Sequence, residues 1–307
     1  MSRIVALTGG TGFIGQVLWR FLEEAGWTVR VLVRSSFRPK RQESSSTTEF
    51  VQGTLHDEKP LHDLIKDAEA IVHCAGRVRG LHSHQFEQTN VEGVRRIVRL
   101  AASQQTPPRF VLISSLAARE PSLSNYAWSK NQGELALEEA AGFMPWIIFR
   151  PPAVYGPQDH AILPLFRWIR RGIGVQLGSD RARFSMLFVE DLANAVLAWL
   201  DRGVHAGRAF ELHDGKTGGY SWQEVFELVS EKKVWRLVVP ASLLNATASM
   251  NQVMARIIGY DPILTYGKVR ELRHADWVCD NSALRLELGW RPSVMLKEGV
   301  RRSLSGL

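Results

Sequence analysis

The opening of this chain constrains its fold more than any other segment. A short β-branched run, RIVALT at 3–8, leads into Thr8-Gly9-Gly10-Thr11-Gly12-Phe13-Ile14-Gly15. Apolar residues at helical spacing follow: Phe13, Ile14, Val17, Leu18, Phe21, Leu22 and Ala25. Glycines at 9, 12 and 15 answer three different demands. Gly9 permits a tight turn, Gly12 lets an anion approach the backbone, and Gly15 lets the helix pack closely on the strand. The helix N-terminus adds free N–H groups and the positive end of its dipole. Strand, glycine turn and helix in this order predict a dinucleotide pyrophosphate site. Gly26 then stops the helix before a second strand, TVRVLV at 28–33.

Further strands are read at 49–52, 70–74, 110–114 and 146–149, with helical patterns at 58–67, 84–104 and 125–141 between them. The polar stretch from Ser35 to Glu49 reads as a loop. Strands alternating with helices predict an α/β fold, a Rossmann-type doubly wound parallel sheet covered on both faces. The alternation fades at Pro151-Pro152 and Gly156-Pro157. The expected organisation is a dinucleotide-binding domain over 1–155, with 184–204 packing back on it, and a smaller C-terminal substrate-binding lobe over most of 156–307.

Composition excludes several classes. Hydrophobic residues make up 45% of the 307, and charge of both signs is interspersed, which rules out disorder as the main state. Cys74 and Cys279, the two cysteines, do not make a disulfide scaffold and suit a reduced, cytoplasmic compartment. No apolar run approaches the roughly 18 residues of a membrane span, and the N-terminus lacks a signal-peptide pattern. The net charge of +7 is scattered, apart from Arg34–Arg38–Lys40–Arg41 and Arg95–Arg96–Arg99, so nucleic acid is not an expected partner, and for want of a span-length apolar run neither is a membrane. His73-Cys74 and His82 with His84 lack the partner set of a zinc site, and no metal is expected.

Tyr126 and Lys130 stand four apart at the start of a helical segment and so share one face. A phenol with a pKa of about 10 is a poor base at neutral pH. An adjacent ammonium stabilises the phenolate and lowers that pKa. The pair suits proton exchange with an alcohol or carbonyl.

These motifs are joined by Gly53-Thr54-Leu55, His73-Cys74-Ala75-Gly76, Asn90-Val91-x-Gly93, Ser114-Ser115 and Arg150-Pro151-x-x-Val154-Tyr155-Gly156-Pro157. Late in the chain come Phe188-Val189-x-Asp191-Leu192-Ala193 and Leu288-Gly289-Trp290-x-Pro292. Together they resemble the extended short-chain dehydrogenases/reductases, the group that contains NAD(P)-dependent sugar epimerases and dehydratases.

The resemblance implies that Tyr126 exchanges the substrate proton while C4 of a nicotinamide exchanges the hydride. Lys130 would also bind the ribose hydroxyls, and Ser115 would hydrogen-bond the reacting oxygen. Ser114 is its rival, and Ser124 a third candidate. Cofactor contacts are implied at Gly9, Thr11, Gly12, Phe13, Ile14, Gly15, Leu55, Ala75, Gly76, Asn90, Tyr126, Lys130, Pro151 and Val154. Asn90 has a second reading, a cap on the helix at 91–103. Thr54 stands where relatives often carry an adenine-binding Asp, which leaves a backbone contact from Leu55; Asp57 is read as a helix cap.

Two departures narrow the chemistry. Only ten residues separate Ser115 from Tyr126, and Leu116-Ala117-Ala118 carries no acid–base pair of the kind dehydratases need. The expected function is an NADP(H)-dependent oxidoreductase acting on a small-molecule alcohol or carbonyl. The alternatives are a sugar or nucleotide-sugar epimerase with retained cofactor and a non-catalytic dinucleotide-binding subunit.

The cofactor choice rests on the end of the second strand, where an acidic residue would mark NAD. Arg34 stands there instead, with Ser35-Ser36 and Arg38 after it, and no Asp or Glu lies between Glu24 and Glu43. A guanidinium grips a 2′-phosphate with paired bonds, which favours NADP, with NAD the alternative. Phe166, Trp168, Arg181, Arg183 and Phe184 are candidates for the substrate side. The resemblance implies a homodimer packed through the Tyr126–Lys130 helix and the helix before it, and the opposite charges of Arg95, Arg96 and Arg99 on one and Glu134, Glu138 and Glu139 on the other would align such a two-fold contact.

Overall fold

Burial along the first strand sets the layering. In a computed structural model describing residues 3–38, 47–202 and 207–305, β1 (Ile4–Thr8) sends Val5 and Leu7 into one apolar cluster and Ala6 into another. A strand buried on both faces reads as an unbroken apolar run, as this one does. β4 (Ala70–His73), β5 (Arg109–Ile113) and β6 (Trp146–Arg150) read likewise inside their ends, β2 (Thr28–Val33) is broken by the half-buried Arg30, and β3 (Thr48–Gln52) lies at one edge. The strand Arg208–Glu211 pairs with β6 at the other edge. The result is a seven-stranded, all-parallel sheet in the order Arg208–Glu211, β6, β5, β4, β1, β2, β3.

Strand order reverses between β1 and β4, and such switch points leave a crevice beyond the carboxyl ends of the strands. Both glycine-bearing segments, Gly9–Gly15 and Ala75-Gly76, begin there. Lys40, Arg41 and the serine run at 44–46 lie outside the described residues.

One face of the sheet is covered by α1 (Phe13–Glu24) and by the helix Val189–Arg202, which contribute Leu18, Leu22, Leu192, Val196 and Trp199. The other is covered by α2 (Glu58–Ile65), by a composite segment from 83 to 102, and by α5 (Asn125–Ala140). The periodicity over 84–104 predicts a single helix there. The segment is instead α3 (Ser83–Glu87), a π-helical turn at Gln88–Glu92 and α4 (Gly93–Ala102). One inserted residue does not disturb a 3.6-residue pattern enough to be read from sequence. A Cβ at Gly133 would stand 2.2 Å from the Asn90 carbonyl oxygen, so α5 rides directly on the π turn and only glycine fits at that crossing.

Beyond the sheet, the strand Met186–Phe188 pairs with Ala153–Tyr155. A third cluster gathers Tyr155, Phe166, Phe188, Tyr220 and Phe226. A small fourth one, Leu244, Ala248 and Val269, joins the helices Ala241–Ile258 and Tyr266–Arg273.

Candidate active site

The glycine turn is closed inward and open outward. Gly9 has φ +74°, and a Cβ there would lie 2.5 Å from the Ala75 nitrogen. One at Gly15 would lie 2.0 Å from the Gly9 carbonyl oxygen. Gly12, by contrast, would meet only that same oxygen at 3.4 Å. At the start of α1 no side chain caps Phe13 or Ile14, and the first turn holds no acidic residue. The Thr11 carbonyl is engaged by the Gln16 amide at 3.2 Å, and the Phe13 ring lies against Gly156. An uncapped helix N-terminus behind an open glycine face fits a dinucleotide pyrophosphate.

The floor of the crevice is fixed by Thr8. Its hydroxyl accepts the Ala75 N–H at 3.2 Å and bonds to His73 Nδ1 at 3.0 Å. Burial drives the His73 imidazole down to about 3, so the ring is a neutral core group stacked on Phe110. Asn90 does not cap a helix. It lies inside the π turn, where its side chain takes the Arg77 N–H at 2.7 Å and donates to the Arg77 carbonyl at 3.0 Å and to Ser129 Oγ at 2.8 Å. It thereby holds the backbone that follows Ala75-Gly76 beside Lys130.

Ser115, Tyr126 and Lys130 are brought together. Ser115 follows β5, caps the short turn Leu116–Arg119 through the Ala117 N–H, and stands close enough to the Tyr126 phenol to lower its pKa. Lys130 Nζ donates to the Ile113 carbonyl at 2.8 Å and would sit 3.7 Å from a Cβ on Gly76. Spacing alone predicts a phenol lowered by the ammonium. Burial of the ring wins instead and pushes Tyr126 up to about 12, against the pull of Ser115; burial likewise lowers Lys130. Ser114 points away, donating to the buried Glu134 carboxylate, which also accepts Arg150 Nε at 3.0 Å on both oxygens. Ser124 caps α5 and donates to Glu271.

Other expectations change. Asp57 stands at the start of α2, yet its carboxylate turns back to accept the Thr54 N–H and hydroxyl, both at 2.8 Å, and caps nothing. The Leu55 carbonyl is taken by Arg96 at 2.5 Å. Pro151 is buried with its carbonyl accepting the Leu116 N–H at 2.9 Å, and Val154 packs on the first core cluster. Arg34 is exposed at the end of β2, while Arg38 folds back onto the carbonyls of Ser35 and Phe37. Glu134 is interior and belongs to no subunit face; Glu138 and Glu139 on the same helix are exposed.

Ser115 and Tyr126 line a cavity of about 710 Å³ whose walls are chiefly apolar, with Leu81, Phe86, Phe166, Phe184, Trp222 and Trp277 prominent. Of the sequence candidates, Phe166 and Phe184 line it. Trp168 is half exposed elsewhere, and Arg183 pairs with Glu224. Arg181 is exposed and is not among the lining residues.

The helix Tyr266–Arg273, for which the sequence carries no site signal, closes over Tyr126. Lys268 Nζ stands 5.9 Å from the phenol ring centre and pairs at 2.8 Å with the buried Glu271. Gly267 allows that closeness, since a Cβ there would be 2.7 Å from Ser124 Cβ. Nothing in sequence spacing links residue 268 to residue 126. Among the described residues no group of three His, Cys, Asp or Glu could hold a metal ion.

The sequence model of the NAD dependent epimerase/dehydratase family matches residues 5–212. A ceramide reductase of Caulobacter vibrioides is 36% identical over 280 residues, 89% of this chain and 85% of that protein. A UDP-glucose 4-epimerase of Vibrio cholerae is 24% identical over 99% of this chain and 95% of its own length. Among solved structures, a putative epimerase from Burkholderia cenocepacia superposes with TM-score 0.76 at 18% identity, covering 99% and 97% of the two chains. The Bordetella bronchiseptica enzyme WbmH, in complex with NAD+, gives 0.74 at 21% identity, covering 99% and 98%. At these identities the two structures establish the fold.

The interior role of Glu134 has a measurable consequence. Glu134→Ala strands Arg150 and Ser114 without their partner and should lower the unfolding free energy by about 3–5 kcal/mol. Glu138→Ala should change it by less than about 0.5 kcal/mol. Denaturant titration of both variants checks this, and equal midpoints would contradict the buried pair.

Proposed function

The chain belongs to the NAD-dependent epimerase/dehydratase family and is an NAD(P)-dependent enzyme, and within that family we propose that it is an NADP(H)-dependent oxidoreductase acting on the carbonyl or alcohol of an apolar molecule. The observation that carries this reading is the meeting of Ser115 and Tyr126 on the wall of a large apolar cavity. A bound dinucleotide supplies or accepts the hydride at C4 of its nicotinamide. Tyr126, protonated at neutral pH, donates the proton to the substrate oxygen in the reductive direction, and Ser115 Oγ holds that oxygen in place. Lys130 lowers the cost of the phenolate left behind. The dinucleotide would be held by the turn Gly9–Gly15 with Thr11, Phe13 and Ile14, and by Ala75 and Gly76, with Asn90 positioning that backbone; the Leu55 carbonyl, Pro151 and Val154 are engaged elsewhere.

The ceramide named for the Caulobacter relative is a substrate of the apolar kind this cavity suits. A nucleotide-sugar epimerase would need free cations for a diphosphate. Of the three cations on the cavity wall, Lys268 is paired with Glu271 and Arg270 donates to the Leu123 carbonyl, which leaves Arg79 alone to meet a diphosphate and weakens that reading. Assembly as a two-fold dimer through α4 and α5 would rest on Arg99 with Glu138 and Glu139, since Glu134 is interior.

Tyr126→Phe should cut turnover by about 10²-fold or more while NADPH affinity stays nearly unchanged. Full activity in the Phe variant would overturn the acid–base assignment. For the cofactor, charge-assisted bonds of about 1.5–3 kcal/mol from Arg34 predict at least roughly a tenfold preference for NADP over NAD. Arg34→Asp should abolish that preference by weakening NADP alone. Equal affinities for both dinucleotides in the unmodified protein, by calorimetry, would refute it.

A further inference from the structure

The helix Ala241–Ile258 turns an apolar face outward. Its inward residues are small or few, with Leu244, Ala248 and Ala255 buried. Its outward residues include Leu243, Met250, Val253, Met254, Ile257 and Ile258, with Met250 63%, Ile257 78% and Ile258 64% exposed. Leu243, Met250, Met254 and Ile257 recur at steps of seven, four and three, which places them in one stripe. Arg256 is the helix's one charged residue. The apolar surface continues through the exposed Tyr260, Ile263 and Tyr266, and the segment just before the helix exposes Trp235, Leu237 and Val238. Scattered exposed apolar residues are ordinary, but a contiguous patch of this extent marks an interaction surface.

Two further observations say what covers it. The first is charge. Between residues 231 and 273 there are seven lysines and arginines against three acidic residues. Asp261 is neutralised by Arg77 at 2.6 Å, Glu271 by Lys268, and Arg236 is itself taken by Asp180, which leaves Lys232, Lys233, Arg256, Arg270 and Arg273 against Glu231. The second is continuity with the cavity. A groove of about 480 Å³ is lined by Met250 and Met254 of the outward face, and by Arg79 and Ile263. Arg79 and Ile263 also line the cavity that holds Ser115 and Tyr126, as does Tyr266. The exposed face therefore runs without a break into an apolar chamber.

We infer that the outward face of the helix Ala241–Ile258, with the loop to Tyr266, docks on an anionic lipid bilayer, so that an apolar substrate enters the Tyr126 cavity from the membrane through the Met250–Ile263 groove. The inference rests on the apolar-substrate reading above. An apolar face with a basic surround and no span-length apolar run is the pattern of an interfacial helix. No described helix is long and apolar enough to cross a membrane, so the contact is with its surface.

The test uses the full-length protein in co-sedimentation with phosphatidylglycerol/phosphatidylcholine vesicles, with pure phosphatidylcholine vesicles, and without lipid. The expected result is binding to the anionic vesicles at least tenfold tighter than to neutral ones, weakened by salt. The double variant Leu243→Glu/Ile257→Glu, whose two side chains line neither groove nor cavity, should lose that binding at least tenfold. Its melting temperature and its NADPH-dependent reduction of a short, water-soluble ketone should be unchanged. Absence of vesicle binding by the unmodified protein, equal binding to neutral vesicles, or equal binding by the double variant would each overturn the docking surface. So would a dimer in size-exclusion chromatography that the double variant dissociates, since the face would then be covered by a second copy. Vesicle binding without reduction of any ketone would leave the surface standing and remove the functional reading instead.

Discussion

The carboxyl ends of β1 and β4 lie so close that residue 9 has no room for a side chain. Everything at the site follows from that approach. Gly9 presses on the Ala75 nitrogen, Gly15 presses on the Gly9 carbonyl, and Thr8 bonds across to both His73 and Ala75. This junction leaves the outer face of Gly12 open before an uncapped helix, and it sets where Ala75-Gly76 emerges. Asn90 then holds that segment from the far side, and Lys130 comes against Gly76. A methyl group at Gly9 would force the two strands apart, and one at Gly15 would push α1 off the turn, so either would disturb the glycine turn.

Tyr126, the proposed acid–base group, is set by opposing effects of different size. Burial raises the Tyr126 phenol to about 12 and lowers the Lys130 ammonium, so the pair starts as a protonated donor beside a destabilised cation. That state suits reduction of a carbonyl, in which the phenol gives up its proton as negative charge forms on the substrate oxygen. The neighbours are fixed by groups that do not face the cavity. Glu134 clamps Arg150 and Ser114 one helical turn beyond Lys130, and Glu271 ties the covering helix to Ser124 at the start of α5.

Local patterns were legible in the sequence, and long-range meetings were not. The glycine turn, the apolar strands and the four-residue step from Tyr126 to Lys130 are all encoded over a few neighbouring residues, and each is found where its spacing puts it. The strand Arg208–Glu211 is four residues long, and its role as a sheet edge depends on β6. Glu134 reads as a surface charge because its helical position is visible while Arg150, sixteen residues on in another element, is not. The choice between Ser114 and Ser115 turns on that same carboxylate. The sign of the Tyr126 shift depends on burial, which spacing does not carry. Lys268 and Glu271 approach α5 from far along the chain, so no motif includes them.

The central claim is hydride transfer to a substrate carbonyl within the cavity that Ser115 and Tyr126 share. NADPH deuterated at C4, on each face in turn, can be incubated with the protein and a long-chain ketone, and the product analysed by mass spectrometry. With one of the two labelled faces, the account predicts a secondary alcohol carrying one deuterium at the former carbonyl carbon, formed in step with NADP. Conversion of a sugar nucleotide to its isomer, with no deuterium in any product and no net NADPH consumed, would contradict it.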